Sequence, residues 1–178
     1  MIRPVRMDDA SALCAIYNHY VLNTVVSFEE ERVSNEDFAV RIARVQQAAL
    51  PWLVVEQNGS ICGYACASRW QERSAYRFCA LISVYLAPHC VGKGLGTQLY
   101  DALFVALRAT PIRWVIGGIA LPNAASVALH EKMGMARVGV HPQVGFKFGR
   151  WIDVGYWQGE VERRVGREPE PESGSRVP

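Results

Sequence analysis

A predicted strand that passes through a glycine-rich turn straight into a predicted helix constrains this 178-residue chain more than any other feature. The segment reads Ser83 Val84 Tyr85 Leu86 Ala87 Pro88 His89 Cys90 Val91 Gly92 Lys93 Gly94 Leu95 Gly96 Thr97. The apolar strand from Phe78 to Leu86 is stopped by Pro88, and Leu99, Ala102, Leu103, Ala106 and Leu107 then repeat at helical intervals. The first turn of a helix carries unpaired amide hydrogens and the positive end of the dipole, and glycines let the backbone approach an oxyanion without a clashing Cβ. A pyrophosphate suits such a place. Glycines at 92, 94 and 96 match neither the G-x-G-x-x-G of dinucleotide folds nor G-x-x-x-x-G-K-[ST]. The plainer reading, that they only shape a turn, stands beside the anion-binding one.

The rest of the chain supplies elements around this unit. Asp8 or Asp9 can cap a helix whose stripe is Leu13, Ile16, Tyr17, Tyr20 and Val21. Ser34 and Asp37 have capping-box spacing before Phe38, Ile42 and Val45. Trp52 to Val55 and Ile61 to Cys66 flank Asn58 Gly59, the signature of a tight β-hairpin. A buried strand from Trp114 to Ile119 precedes a helix from about Asn123 to Met133, with Gly134 at its left-handed end. The apolar stretch Trp151 to Trp157 is expected to close the sheet. This order predicts an α/β (α+β) fold, a mixed sheet with helices on both faces. Half of the residues are apolar, enough for one substantial core, so residues 1–160 read as one domain. Residues 161–178, rich in Arg, Glu, Pro, Gly and Ser, read as a disordered tail.

Nineteen basic and 17 acidic side chains leave a net charge of +2 with no block of one sign, which gives no footprint for nucleic acid. No apolar run reaches the roughly 20 residues that span a bilayer, and the charged start Met1 to Arg6 is unlike a signal peptide. A cytoplasmic protein is expected, without nucleic-acid or membrane partners. Cys14, Cys62, Cys66, Cys79 and Cys90 lie mostly in apolar segments rather than in close pairs with histidines, and read as buried thiols with no metal site. His19 and His141 read as structural.

The loop and the later run Asn123 to Met135 resemble the GNAT acetyltransferase superfamily. Ser27 Phe28 Glu29, Arg73 to Arg77, Ser83 Val84 Tyr85, and Val144 to Asp153 are similar to its phosphinothricin and methionine sulfone N-acetyltransferase branch, over about residues 2 to 159. The resemblance implies a mostly antiparallel twisted sheet, acetyl-coenzyme A as cosubstrate without a metal, a small amine acceptor, and a homodimer. It places the cofactor against Val84, Tyr85, Leu86, the loop Gly92, Lys93, Gly94, Leu95, Gly96 and Thr97, and against Asn123 and Lys132. Asn123 read alone is equally a helix cap, and Lys132 a solvated lysine. Phe28, Ser74, Ala75 and Tyr76 would border the acceptor, with Arg73 offering a planar fork to its carboxylate.

Two departures from the branch matter. Val91 stands where the superfamily loop usually begins with a polar or basic residue. Leu81 stands where the branch has the glutamate that takes the amine proton, and losing a positioned base commonly costs about 100-fold to 10,000-fold. Glu29 is the candidate substitute base, and His130, at a position where relatives often carry a tyrosine, the candidate acid for the leaving thiolate. A water chain or a less basic acceptor amine would also serve, and a polyamine, another small amine or a protein N-terminus is the alternative acceptor. A coenzyme A binding module without turnover is the alternative from another class.

Overall fold

In a computed structural model that describes residues 1–161, seven strands form one sheet in the order β1-β2-β3-β4-β5-β7-β6. They are β1 (Ile2–Pro4), β2 (Trp52–Gln57), β3 (Ser60–Arg69), β4 (Cys79–Leu86), β5 (Trp114–Leu121), β6 (Ala136–Lys147) and β7 (Arg150–Glu160). The helices are α1 (Ala10–Asn23), α2 (Asn35–Gln47), α3 (Leu95–Leu107) and α4 (Ala124–Lys132). Every neighbouring pair is antiparallel except β4 with β5.

Local chemistry accounts for the turns. Between β2 and β3, Asn58 and Gly59 both adopt positive φ, 50° and 77°, the geometry whose twist matches that of the flanking strands. Phe148 and Gly149 do the same between β6 and β7, at 51° and 71°. Ser34 caps α2 by accepting from the Asp37 amide, and Gly134 ends α4 at φ 77°.

Helices cover both faces of the sheet. Tyr85 packs edge-on against Tyr17 and Tyr20 of α1, whereas a Cβ built on Gly96 of α3 would lie 3.9 Å from the Leu86 side chain. Successive residues of a strand point to opposite faces, so α1 and α3 lie on opposite sides of β4. Tyr17, Phe38, Trp52, Tyr64 and Tyr85 form a continuous aromatic layer beneath α1 and α2.

Three sequence expectations need correction. The Trp151 to Trp157 stretch lies within β7, which sits inside the sheet between β5 and β6; the edge strand is β6, whose Gly139, Pro142 and Gly145 and mostly exposed residues hide it from a search for apolar runs. Asp9 occupies the cap position of α1 without a side-chain capping bond, because its carboxylate accepts from Arg3 at 2.7 Å and from the Arg6 amide. Val161, assigned to the tail, is buried and donates its amide to the Arg113 carbonyl at 2.8 Å. The remaining tail assignment lies outside the described residues.

Gly117 of β5 faces α4 so closely that a Cβ there would stand 2.3 Å from Nε2 of His130. Gly117→Ala should therefore cost about 1 to 3 kcal/mol by overpacking. Urea unfolding measures it, and a loss below about 0.5 kcal/mol would mean that the ring has room to move.

Candidate functional site

A wedge opens in the middle of the sheet. β4 and β5 share only the rungs Cys79↔Trp114, Ala80↔Val115 and Leu81↔Ile116. Beyond them β4 stays with β3 through Gly63↔Leu86, while β5 stays with β7 through Leu121↔Asp153, so the two central strands part. The Ala87 amide donates to the Cys62 carbonyl of β3 at 2.8 Å. Alternation then turns the main-chain groups of Val84 and Leu86 the other way, into the wedge. The Tyr20 hydroxyl donates to the Leu86 carbonyl at 2.6 Å and ties α1 to this edge. The edge between the parted strands can pair with an extended chain that carries amides.

The glycine loop closes one end of the wedge. Gly92 and Gly94 have φ of 79° and 74°, and Gly94 is the N-cap of α3. A Cβ at either would meet nothing within 4 Å, so these glycines serve the left-handed backbone rather than a close approach. Leu95, Gly96 and Thr97 form the first turn of α3, whose amides have no acceptor within the helix. Gly96 does something further: a Cβ there would lie 3.3 Å from Leu129, so its absence lets α3 begin close to α4. Lys93 and Val91 are exposed on the loop.

On the far side of the wedge, Asn123 caps α4, its Oδ1 accepting from the Ser126 amide at 3.1 Å. Lys132 is exposed in the last turn of that helix. His130 is 3% exposed. Its Nδ1 lies 2.7 Å from the Ser126 carbonyl, which can only accept, so Nδ1 carries the proton and Nε2 accepts from the Tyr100 hydroxyl at 3.2 Å. Both ring nitrogens are engaged within the protein, which removes the free N–H that an acid for the departing sulfur would need.

Burial pushes the His130 pKa down, against a smaller upward effect of the Ser126 carbonyl. Well above a pH of about 6.5 the histidine is neutral in both folded and unfolded chains, so it adds no slope there. Below that pH the unfolded chain takes up a proton that the folded one refuses until its own lower pKa is reached. Stability should fall with decreasing pH in that window, by at most about 1.4 kcal/mol per unit for one proton. Urea unfolding between pH 5 and 7 checks this, and the slope should disappear in His130→Gln.

The opposite face carries the expected acceptor residues. Leu81, Ser83 and Tyr85 point to the α1 and α2 side, with half-buried Leu81 between Ser68 of β3 and Ile116 of β5. Phe28 is exposed on the loop from α1 to α2, and its ring lies where a Cβ of Gly145 would be, 2.2 Å away. The Glu29 carboxylate is gripped by Arg41, at 2.8 Å and 3.1 Å. Arg73 to Tyr76 form an exposed turn between β3 and β4, where the Arg73 guanidinium makes no ion pair among the described residues. The structure thus gathers the loop, β4 and α4 around one opening, and leaves the Arg73 turn on the connection into β4, at the end where β4 is still paired with β5.

Sequence reasoning missed Lys147. The residue is 1% exposed, and its ammonium donates to the carbonyls of Val21, Ser27 and Glu29 at 2.6, 2.7 and 2.7 Å, fastening the Phe28 segment to β6. A lysine bracketed by Phe146 and Phe148 is the only trace this leaves in the sequence. Arg44 was missed as well; it lines two adjoining depressions, one with Ser68 and Arg69, the other with Glu29 and Arg41. Its spacing of three from Arg41 on α2 was the available signal.

The acetyltransferase (GNAT) domain family matches residues 2–155. The chain is 43% identical to a phosphinothricin N-acetyltransferase of Alcaligenes faecalis over 154 residues, covering 86% of this chain and 78% of that protein. It is 35% identical to an L-methionine sulfoximine/L-methionine sulfone acetyltransferase of Salmonella typhimurium, over 92% of this chain and 96% of the relative. A crystal structure of a phosphinothricin acetyltransferase from Sinorhizobium meliloti in complex with acetyl-CoA superposes with a TM-score of 0.88 at 32% identity, covering 96% of both chains.

Proposed function

Because the chain belongs to the GNAT acetyltransferase family, we propose that it moves the acetyl group of acetyl-coenzyme A to the amine of a small amino-acid-like acceptor of the phosphinothricin, methionine sulfone or methionine sulfoximine type. The observation that carries this reading is the wedge between β4 and β5 with the glycine loop at its end. The pyrophosphate sits on the amides of Gly92 to Thr97, with Lys93 beside it. The pantetheine arm extends along the Val84 and Leu86 edge and exposes the thioester to the α1 and α2 side, with Asn123 and Lys132 across the opening.

The free amine attacks the thioester carbonyl, whose oxygen takes its hydrogen bond from the Leu86 amide as charge develops on it. The N–C bond forms, the C–S bond breaks, the attacking nitrogen loses its extra proton and the thiolate leaves to be protonated as coenzyme A. Leu81 offers no base. Glu29 lies on this side, but its carboxylate is gripped by the Arg41 guanidinium and is not free to meet the amine. His130 keeps α4 against β5 rather than giving up a proton. Water therefore takes the amine proton, and Glu29 acts at most through it. Phe28 walls the acceptor pocket, and Arg73 with Ser74, Ala75 and Tyr76 meets the acceptor carboxylate at its rim.

Exposed Val144, Phe146, Phe148 and Trp151 lie together on the β6–β7 hairpin, with the Phe146 and Trp151 rings 5.0 Å apart. An apolar patch of this kind beside an edge strand supports a homodimer joined through β6. No described helix is long and apolar enough to cross a membrane. The five cysteines are free thiols in the structure, in keeping with a reducing cytoplasm.

Thiol release from acetyl-coenzyme A, measured with phosphinothricin, methionine sulfone and methionine sulfoximine, tests the reading. Turnover is expected with at least one. Turnover only with polyamines or a peptide N-terminus would change the acceptor class. Silence over a broad amine panel with coenzyme A still bound would favour a binding module, the reading that Leu81 and Val91 motivate.

A further inference from the structure

The geometry points to a metal-binding site at the base of the glycine loop, formed by residues the transfer reaction does not use. Sequence reading treats the cysteines as separate buried thiols, because Cys62 lies 27 positions before His89. The fold brings them together: Cys62 Sγ, Cys90 Sγ and an imidazole nitrogen of His89 all lie within 4.8 Å of one another. Two backbone bonds set this approach. The Ala87 amide donates to the Cys62 carbonyl, and the Cys90 amide donates to the Ala87 carbonyl, each at 2.8 Å.

Two thiolates and one imidazole form a donor set suited to a thiophilic divalent cation of the zinc class. Tetrahedral ligands at zinc bond lengths stand about 3.5 Å apart, so a contraction of about 1 Å completes the site. The exposed His89 side chain is free to make it, while Cys62 and Cys90 are held in the interior. A fourth position on the His89 side falls to water, and Gln57, whose Oε1 lies 3.8 Å from Cys62 Sγ, can accept a hydrogen bond from it. Binding releases the two thiol protons to solvent. Cys90 directly precedes Val91, so the ion braces the segment by which β4 enters the loop.

Cobalt(II) titration of the reduced, chelator-stripped full chain tests this, with zinc as the competing ion. The expected result is a thiolate-to-cobalt charge-transfer band that saturates at about one ion per chain and is displaced by zinc. The band should vanish in Cys62→Ser and Cys90→Ser and persist in Cys79→Ser. His89→Ala, a surface change that leaves the core intact, should weaken binding by at least about 10-fold. Absence of the band in the unmodified protein, or a band indifferent to His89→Ala, would overturn the assignment. The readout does not depend on acetyl transfer, so its failure and a failure of the proposed function are separable.

Discussion

Lys147→Met is expected to destabilise the protein by about 3 to 5 kcal/mol, the range for breaking a buried charged group away from its partners. The ammonium serves three carbonyls at once, on Val21, Ser27 and Glu29. Val21 lies in the last turns of α1, where unpaired carbonyls and the negative end of the dipole favour a cation. Burial lowers the Lys147 pKa, with Glu30 and then Glu29 pulling the other way. Methionine keeps the length and the apolar stem but leaves three carbonyls without a donor. Since Ser27 and Glu29 flank Phe28, the variant should also raise KM for the acceptor more than KM for acetyl-coenzyme A. Urea unfolding and steady-state kinetics measure both effects. A loss below about 1 kcal/mol would mean that the Phe28 segment is held by other contacts, such as the 2.8 Å hydrogen bond between Tyr17 and Ser27.

Leu81→Glu is expected to raise kcat/KM near pH 7 by about 10-fold to 100-fold. A positioned general base commonly contributes at least 100-fold, and some of that is forfeited because this pocket is not shaped for a carboxylate. Leu81 is half-buried at the last rung before β4 and β5 part, on the face of Ser83 and Tyr85. A carboxylate there would stand beside the open part of the wedge. The unmodified enzyme should show kcat/KM rising by about 10-fold per pH unit below the acceptor amine's own pKa, since only the free amine reacts. The variant should bend to a plateau at lower pH. Equal profiles for the two proteins would show that proton removal does not limit the reaction. Glu29→Gln should change turnover little, because its carboxylate is already committed to Arg41.

What could be read from the sequence was local. Asn58 Gly59 specifies its own turn, Ser34 its own cap and Gly134 its own helix end, each by interactions within a few residues. The glycine loop was equally legible, because positive φ at Gly92 and Gly94 and the start of α3 are properties of one short segment. The features that escaped depend on distant partners. Strand β6 is held by β7 rather than by a buried face of its own, so its apolar pattern is faint. Lys147 reaches carbonyls more than 115 positions away. Asp9 resembles a cap until β1 brings Arg3 to it, and His130 resembles a proton donor until Tyr100 and Ser126 occupy both its nitrogens.

Amide hydrogen exchange with and without saturating acetyl-coenzyme A probes the anchoring of the cofactor at single residues. Slowed exchange is expected at Val84 and Leu86 along the parted edge of β4, and at Gly92 through Thr97 in the loop and first turn of α3. Saturable binding that leaves those amides exchanging at their free rates would contradict cofactor anchorage by the wedge and the loop.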